Sequence, residues 1–336
     1  MSNKIIKNIR PLGMHWETRD PFLFCAHHLD YYPGGNDELG PNVSIAGRTI
    51  GQDFAGKDGW NMYHGRKTPG FPSHPHRGFE TVSIVKQGFI DHSDSIGGSG
   101  RFAKGDVQWL TSGKGVQHAE MFPLVESDKN PMEMFQIWIN LPKKNKFVDP
   151  HYKMLWQEDI PVVTVKDSNG KTSIIDVIAG QFEEKKALDP TPNSWAADSE
   201  NDVQIWTIKM TPGAKLSIPK SADGLNRSIY FYSGDTIEIE GKSILGGHGV
   251  DVLSNAELSI VNGKTESHIL FLQGKPINEP VAQYGPFVMN TQAEIQQAIT
   301  EYQQTQFGGW PWANNEPVHD NAGRFAKYSD GKQEKR

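Results

Sequence analysis

Apolar, β-favouring side chains alternate with polar ones in short bursts along most of the chain. Four such segments, FETVSIVKQG, FIDHSDS, RFAKGDVQWL and MFQIWINLP, follow one another between residues 79 and 142. Gly-, Ser- or Pro-bearing turns separate them, with Gly88 and the GGSG cluster at 97–100 as the clearest hairpin punctuation. A two-residue period at this spacing predicts strands of an antiparallel sandwich or barrel. The rhythm pauses over NLPKKNKFVDPHYKMLWQEDIP (140–161), a polar crossing interrupted by prolines. It resumes as PVVTVKD, TSIIDVIAG, DVQIWTIKM, RSIYFYSGDTIEIEG, AELSIVNG and SHILFLQG, ending near residue 275. The polar stretch 182–202 inside this second unit reads as a surface loop.

A change of period marks one helix. Ile295, Ala298, Ile299 and Tyr302 recur at i, i+3, i+4 and i+7 and form one apolar face. Thr291 followed three residues later by Glu294 is a capping box, and Gly308 is the expected C-terminal stop. The tail from 313 is polar and aperiodic and is expected to pack loosely. The chain thus divides into a β unit at 1–145, a second at 146–290, a helix at 291–308 and a polar tail at 313–336.

Composition narrows the class. With 336 residues the chain is long enough for two domains of ordinary size, and 9 Trp, 16 Phe and 9 Tyr give them sizeable cores. The net charge is −6 and no basic block stands out, which argues against direct nucleic acid binding. The single cysteine, Cys25, excludes a disulfide within the chain, and its apolar surroundings PFLFCAHH predict a buried thiol. The N-terminal residues hold no apolar run of signal-peptide length, and no stretch approaches the ~20 apolar residues of a membrane helix. A soluble, cytoplasmic protein is the expectation.

The chemistry concentrates in two motifs. FPSHPHRGFETV places His74 and His76 two apart, so both imidazoles share one face of a strand. TSGKGVQHAEMF places His118 and Glu120 at the same spacing, after a tight turn marked by Gly113 and Gly115. On two adjacent strands of one barrel these pairs supply three imidazoles and a carboxylate, a donor set for one divalent first-row metal: Fe, Mn, Ni, Cu or Zn. Four protein ligands on an octahedral ion leave two positions open for a substrate or oxygen. Glu80 lies at even spacing from His74 and His76, so strand geometry leaves it as an alternative carboxylate, with Gly78 able to break the register.

FPSHPHRGFETV, GDVQWLTSGKGVQHAEM, QIWINLP and the late GPFVMNT resemble the signatures of the pirin family, in patches from about residue 70 to 308. The resemblance implies an all-β protein of two tandem cupin jelly-roll barrels (a bicupin) with a C-terminal helix, and a metal, usually iron, in the N-terminal barrel. It places the metal on His74, His76, His118 and Glu120 and leaves Glu80 as a supporting residue. The second unit has IPKSADGLNRSIYFYSG where a cupin would carry a histidine pair, and His248 and His268 stand alone, so one metal per chain is expected, most simply Fe(2+).

Some pirins are implied to have quercetin 2,3-dioxygenase activity. The corresponding expectation is an Fe(II)-dependent dioxygenase acting on a flavonol-like or other small aromatic substrate, with Glu120 both ligand and catalytic proton acceptor. The alternative is a non-enzymatic, metal- or redox-responsive regulator that binds a protein partner. The chain departs from the family pattern in the long segment 21–64 and in 182–202. Among neighbours of the motifs, Arg77 is expected to pair with an acid and His92 to be exposed, and either is placed to line the pocket. About half of Phe71, Phe79, Trp109, Met121 and Trp138 are expected in the core and the rest at an apolar mouth. His27, His28 and His64 are possible extra site residues.

Overall fold

Where the sequence alternates, the chain forms strands, as seen in a computed structural model that describes residues 5–320 and 323–336. Two compact units result, and neither is continuous in sequence. One comprises His27–Gln157 and Glu279–Arg336, the other Met1–Ala26 and Glu158–Asn278. This grouping differs from the sequential partition at 145/146.

The His27–Gln157 unit is built on five strands of one sheet and on a six-stranded sheet that carries both His74–His76 and His118–Glu120. In that sheet Gly70–His76 pairs with Val116–Met121, which pairs with Phe89–Asp94, followed by Ser99–Ala103, Phe325–Lys327 and Gln333–Lys335. The other runs His151–Leu155, Val107–Thr111, Phe79–Gln87, Lys129–Asn140 and then the part of Phe22–Pro33 that begins at His27. The inward rows of these strands are apolar at one end, where Tyr32, Val85, Ile90, Leu110, Val116 and Met134 pack together. Burial of such side chains is worth about 1.5–3 kcal/mol each and holds the barrel closed.

Glu158–Asn278 supplies most of the other unit. Its seven-stranded sheet runs Ile6–Pro11, His248–Val252, Asn226–Ser233, Ser267–Gly274, Gln204–Met210, Thr172–Ala179 and Val162–Lys166. A four-stranded sheet runs Lys215–Ile218, Leu258–Asn262, Thr236–Ile239 and Lys242–Leu245. Alternate residues of both sheets, such as Ile175 and Val177, Ile229 and Phe231, or Ile269 and Phe271, make one apolar core. Cys25 is fully buried in this unit, and burial pushes its thiol well above the ordinary range.

Four local expectations are corrected. The crossing 140–161 contains a strand, His151–Leu155, whose register on Val107–Thr111 runs from His151 opposite Thr111 to Leu155 opposite Val107. The loop 182–202 is partly ordered by a hairpin of Gln181–Phe182 with Lys185–Lys186 and by two 3-10 turns, with Thr191 and Ser194 buried. The helix spans Gln292–Thr305 with Thr291 and Glu294 in the expected capping box, but it stops at Gln306 in the left-handed region rather than at Gly308. The tail does not pack loosely. Ala326 is fully buried, Phe325–Lys327 pairs with Ser99–Ala103, and Arg324 makes a two-pronged ion pair with Asp106 at 2.7 and 2.6 Å. Polarity misled here because the tail's charges are satisfied by partners on the barrel; residues 321–322 of this tail lie outside the described residues.

Candidate metal centre

The same inward rows turn polar at their other end. Val116 is followed two and four residues on by His118 and Glu120, Met134 by Gln136 and Trp138, and Ile90 by His92 and Asp94. Residues i and i+2 of a strand share a face, so these side chains gather in one part of the interior. Gly70–His76 closes the group: its register on Val116–Met121 sets His74 directly opposite His118 and Phe71 opposite Glu120. A β-carbon at Gly70 would lie 2.4 Å from the Glu120 carbonyl oxygen, so glycine permits that close pairing. Gly113 (φ 46°) and Gly115 (φ 132°) form the turn that delivers His118.

His74, His76 and His118 each offer a ring nitrogen, and all three atoms lie within 4.8 Å of one another. His74 Nδ1 lies 2.8 Å from the Pro72 carbonyl, which fixes the proton there and leaves Nε2 as the lone-pair atom. That Nε2 is 3.1 Å from Nε2 of His76. His118 is fully buried, and neither of its ring nitrogens has a hydrogen-bond partner among the described residues. Leaving a buried polar atom unpaired costs about 1–3 kcal/mol. Burial lowers all three imidazoles, His74 to about 4 and the other two well below the ordinary value, so they are neutral, the form that binds metal. Converging, neutral lone pairs with an orphaned ring at their centre fit a cation.

Glu120 flanks this trio. Its Oε2 is 3.6 Å from His118 Nε2 and accepts from Gln136 Nε2 at 2.7 Å, while Oε1 is 3.0 Å from Ser83 Oγ. Ser83 Oγ is also 2.5 Å from Gln136 Oε1, and one hydroxyl hydrogen cannot serve both acceptors. Burial raises the Glu120 carboxyl, and the hydrogen bonds from Ser83 and Gln136 oppose that shift. Glu80 is directed elsewhere. Gly78 (φ 86°) ends the Gly70–His76 strand, so Glu80 belongs to Phe79–Gln87, where Trp109 Nε1 and Thr111 Oγ1 donate to it at 3.2 and 2.7 Å.

His92 is corrected from exposed to fully buried. Its Nε2 is 3.0 Å from Asp94 Oδ2, and its ring centre is 5.6 Å from that of His118. Arg77 pairs with Glu301 at 2.5 Å and donates through Nε to the Lys114 carbonyl at 2.6 Å, stiffening the turn beside His76. Lys146 adds to this with bonds to the Gly78 and Val288 carbonyls at 2.9 and 3.0 Å and to Asn140 Oδ1 at 2.8 Å. Phe79, Trp109 and Met121 are core residues, whereas Phe71 and Trp138 are half-buried and border the cavity. Of the three extra histidines only His64 lines that cavity; His27 lies 3.1 Å from Glu133, and His28 bonds the Tyr63 hydroxyl at 2.9 Å. Sequence reading missed Ser83 and Gln136, whose only signal is their place on the inward rows of Val85 and Met134.

Above the trio an open cavity of about 1270 Å³ reaches His74 and His76. That is ample for a small-molecule ligand, since such sites commonly run ~300–1,000 Å³. Its walls combine Phe71 and Trp138 with polar residues of 37–68 and 314–320. In the other unit, His268 pairs with Glu266 at 3.1 Å and His248 contacts the Leu245 carbonyl at 3.1 Å; neither belongs to a three-donor group among the described residues. No helix among the described residues is long and apolar enough to cross a membrane.

Comparison with known proteins gives this geometry a context. Residues 6–139 match the family model described as Pirin, and residues 205–308 match the Pirin C-terminal cupin domain. The chain is 36% identical to a pirin of Homo sapiens over 258 residues, covering 74% of this chain and 81% of that protein. It is 37% identical to a pirin-like protein of Solanum lycopersicum over 239 residues, covering 70% and 75%. A crystal structure of quercetin 2,3-dioxygenase from Acinetobacter baumannii superposes with a TM-score of 0.70 at 26% identity, covering 91% of this chain and 98% of that one. The chain is therefore a two-cupin protein and belongs to the pirin family.

Proposed function

We propose that this protein is an Fe(II)-dependent dioxygenase of a flavonol-like or related small aromatic substrate, with His74, His76, His118 and Glu120 as metal ligands. The observation that carries the reading is a trio of neutral, converging imidazoles, two of which, His74 and His76, line a cavity open to solvent. A divalent first-row ion held there supplies Lewis-acid activation of a substrate hydroxyl and a redox partner for dioxygen. The chain's own residues do the rest. Phe71 and Trp138 offer flat apolar walls to an aromatic ring. Glu120, held between Ser83 and Gln136 and raised by burial, is poised to accept the proton that a substrate hydroxyl gives up. His92, held by Asp94, packs edge-on against the His118 ring with ring centres 5.6 Å apart.

A regulator that senses an ion's oxidation state and binds a protein partner needs no ligand-sized route to that ion. The cavity reaching His74 and His76 favours turnover. The test is metal analysis of the wild type, His74→Ala and Glu120→Ala, followed by oxygen uptake on the same samples with a flavonol panel. About one ion per wild-type chain, lost from both variants together with flavonol-dependent uptake, is the expected result. Uptake no faster than that of free metal would sink the dioxygenase reading.

A further inference from the structure

The cavity is walled in part by a segment that the functional reading above does not use. Asn314, Asn315, Glu316, Val318 and Asp320 line it, and they lie beyond residue 308, where the match to the family models ends. Buried bonds hold this wall in place. Arg101, almost fully buried, grips Asp91 at 2.6 and 2.7 Å, and Asp91 Oδ2 accepts the His319 backbone N–H at 2.7 Å. Trp312 Nε1 donates to the Asp94 carbonyl at 2.8 Å. The Asn315 carbonyl accepts the Ser73 N–H at 2.8 Å, next to His74 in sequence. Glu316 accepts the backbone N–H groups of Arg66 and Lys67 at 3.1 and 3.3 Å and so ties the wall to the loop carrying His64. A wall already fixed loses little entropy when a ligand binds.

Two side chains of this fixed wall are left for a ligand. Neither the Asn315 amide nor the Asp320 carboxylate has a hydrogen-bond partner among the described residues, and both border the cavity. Resting on the flavonol-like reading of the site, we propose that segment 314–320 determines specificity by presenting Asn315 and Asp320 to hydroxyl groups on the pendant ring of the substrate. A hydroxylated ring donates to both. A bare ring leaves them covered and unpaired, and that difference discriminates between otherwise similar ligands.

The probes are quercetin and 3,5,7-trihydroxyflavone, which lacks the two hydroxyls of quercetin's pendant ring. Dissociation constants are measured by tryptophan fluorescence quenching on Fe(II)-loaded full-length protein under nitrogen. Wild type is expected to bind quercetin about tenfold more tightly, the effect of roughly one well-made hydrogen bond to a charged group. In Asn315→Ala/Asp320→Ala the ratio of the two constants falls to within about twofold of unity, while Asp320→Asn, which keeps an acceptor, retains part of the preference. The single substitutions provide the same comparison where the double variant does not fold. Equal binding of both flavonols by wild type, or a preference that survives in the double variant, overturns the proposal and leaves the flavonol reading standing. Failure of both flavonols to bind removes that reading and the proposal with it.

Discussion

The two barrels use the same alternation to opposite ends. In the unit built mainly from Glu158–Asn278 the inward rows are apolar along most of their length, as along Trp206, Ile208 and Met210, and end in the buried Arg227 and Gln273, which bond each other at 2.6 Å. In the His27–Gln157 unit the rows change character halfway: Val116 gives way to His118 and Glu120, Met134 to Gln136, Ile90 to His92 and Asp94. Burying polar groups is costly unless partners await them: Arg227 and Gln273 satisfy each other, whereas neither ring nitrogen of His118 has a hydrogen-bond partner among the described residues. The mixed barrel gathers three converging imidazoles beside a ligand-sized cavity.

The largest effect expected to sharpen this contrast lies in the apolar barrel. Phe271 is fully buried and stacks on Trp206 at 4.3 Å. Phe271→Ala should destabilise that unit by about 4 kcal/mol in denaturant unfolding, yet metal content per folded chain should equal that of wild type. Loss of metal from the folded fraction would break the division of labour.

Acid should act on the other unit. His74 is held at about 4 in the fold against 6.5 when unfolded, and burial lowers His76 and His118 well below that ordinary value too. The unfolded chain therefore binds more protons between these values, and stability present above pH 6.5 is lost as pH falls toward 4. For His74, part-exposed at the cavity floor, the loss is at most about 3 kcal/mol. Hydrogen exchange on metal-free protein should show Gly70–His76 and Val116–Met121 losing protection in this window ahead of Gln204–Met210. Equal loss in both units would count against the assignment.

The smallest effect concerns the support of Glu120. Gln136→Leu removes the amide that holds Oε2, and metal affinity measured by competition with a chelator should fall about 10–100-fold without loss of the fold. An unchanged affinity would mean that Glu120 is not oriented through Gln136.

Much of the site was legible because strand periodicity is local. The i, i+2 spacing of His74 with His76 and of His118 with Glu120 announces same-face pairs, and the glycines before His118 announce the turn that brings it in. Glu80 shows where that local logic needs a register: its even spacing from His74 counts only within one strand, and Gly78 ends that strand first. His92 was misjudged as exposed because the polar run DHSDS looks like surface until its neighbours are known. The tail was misjudged for the same reason, since the charges of Arg324 and Asp106 cancel only once they meet.

The sequence by itself determined the strand rhythm, the capped helix and the residue types able to bind a metal, all consequences of spacing over a few residues. Tertiary structure decided which carboxylate stands beside the histidines, which aromatics face the cavity, and that residues 314–320 form part of its wall. These depend on register and on partners far apart in sequence, because a side chain's burial and charge state are set by what packs against it rather than by what precedes it.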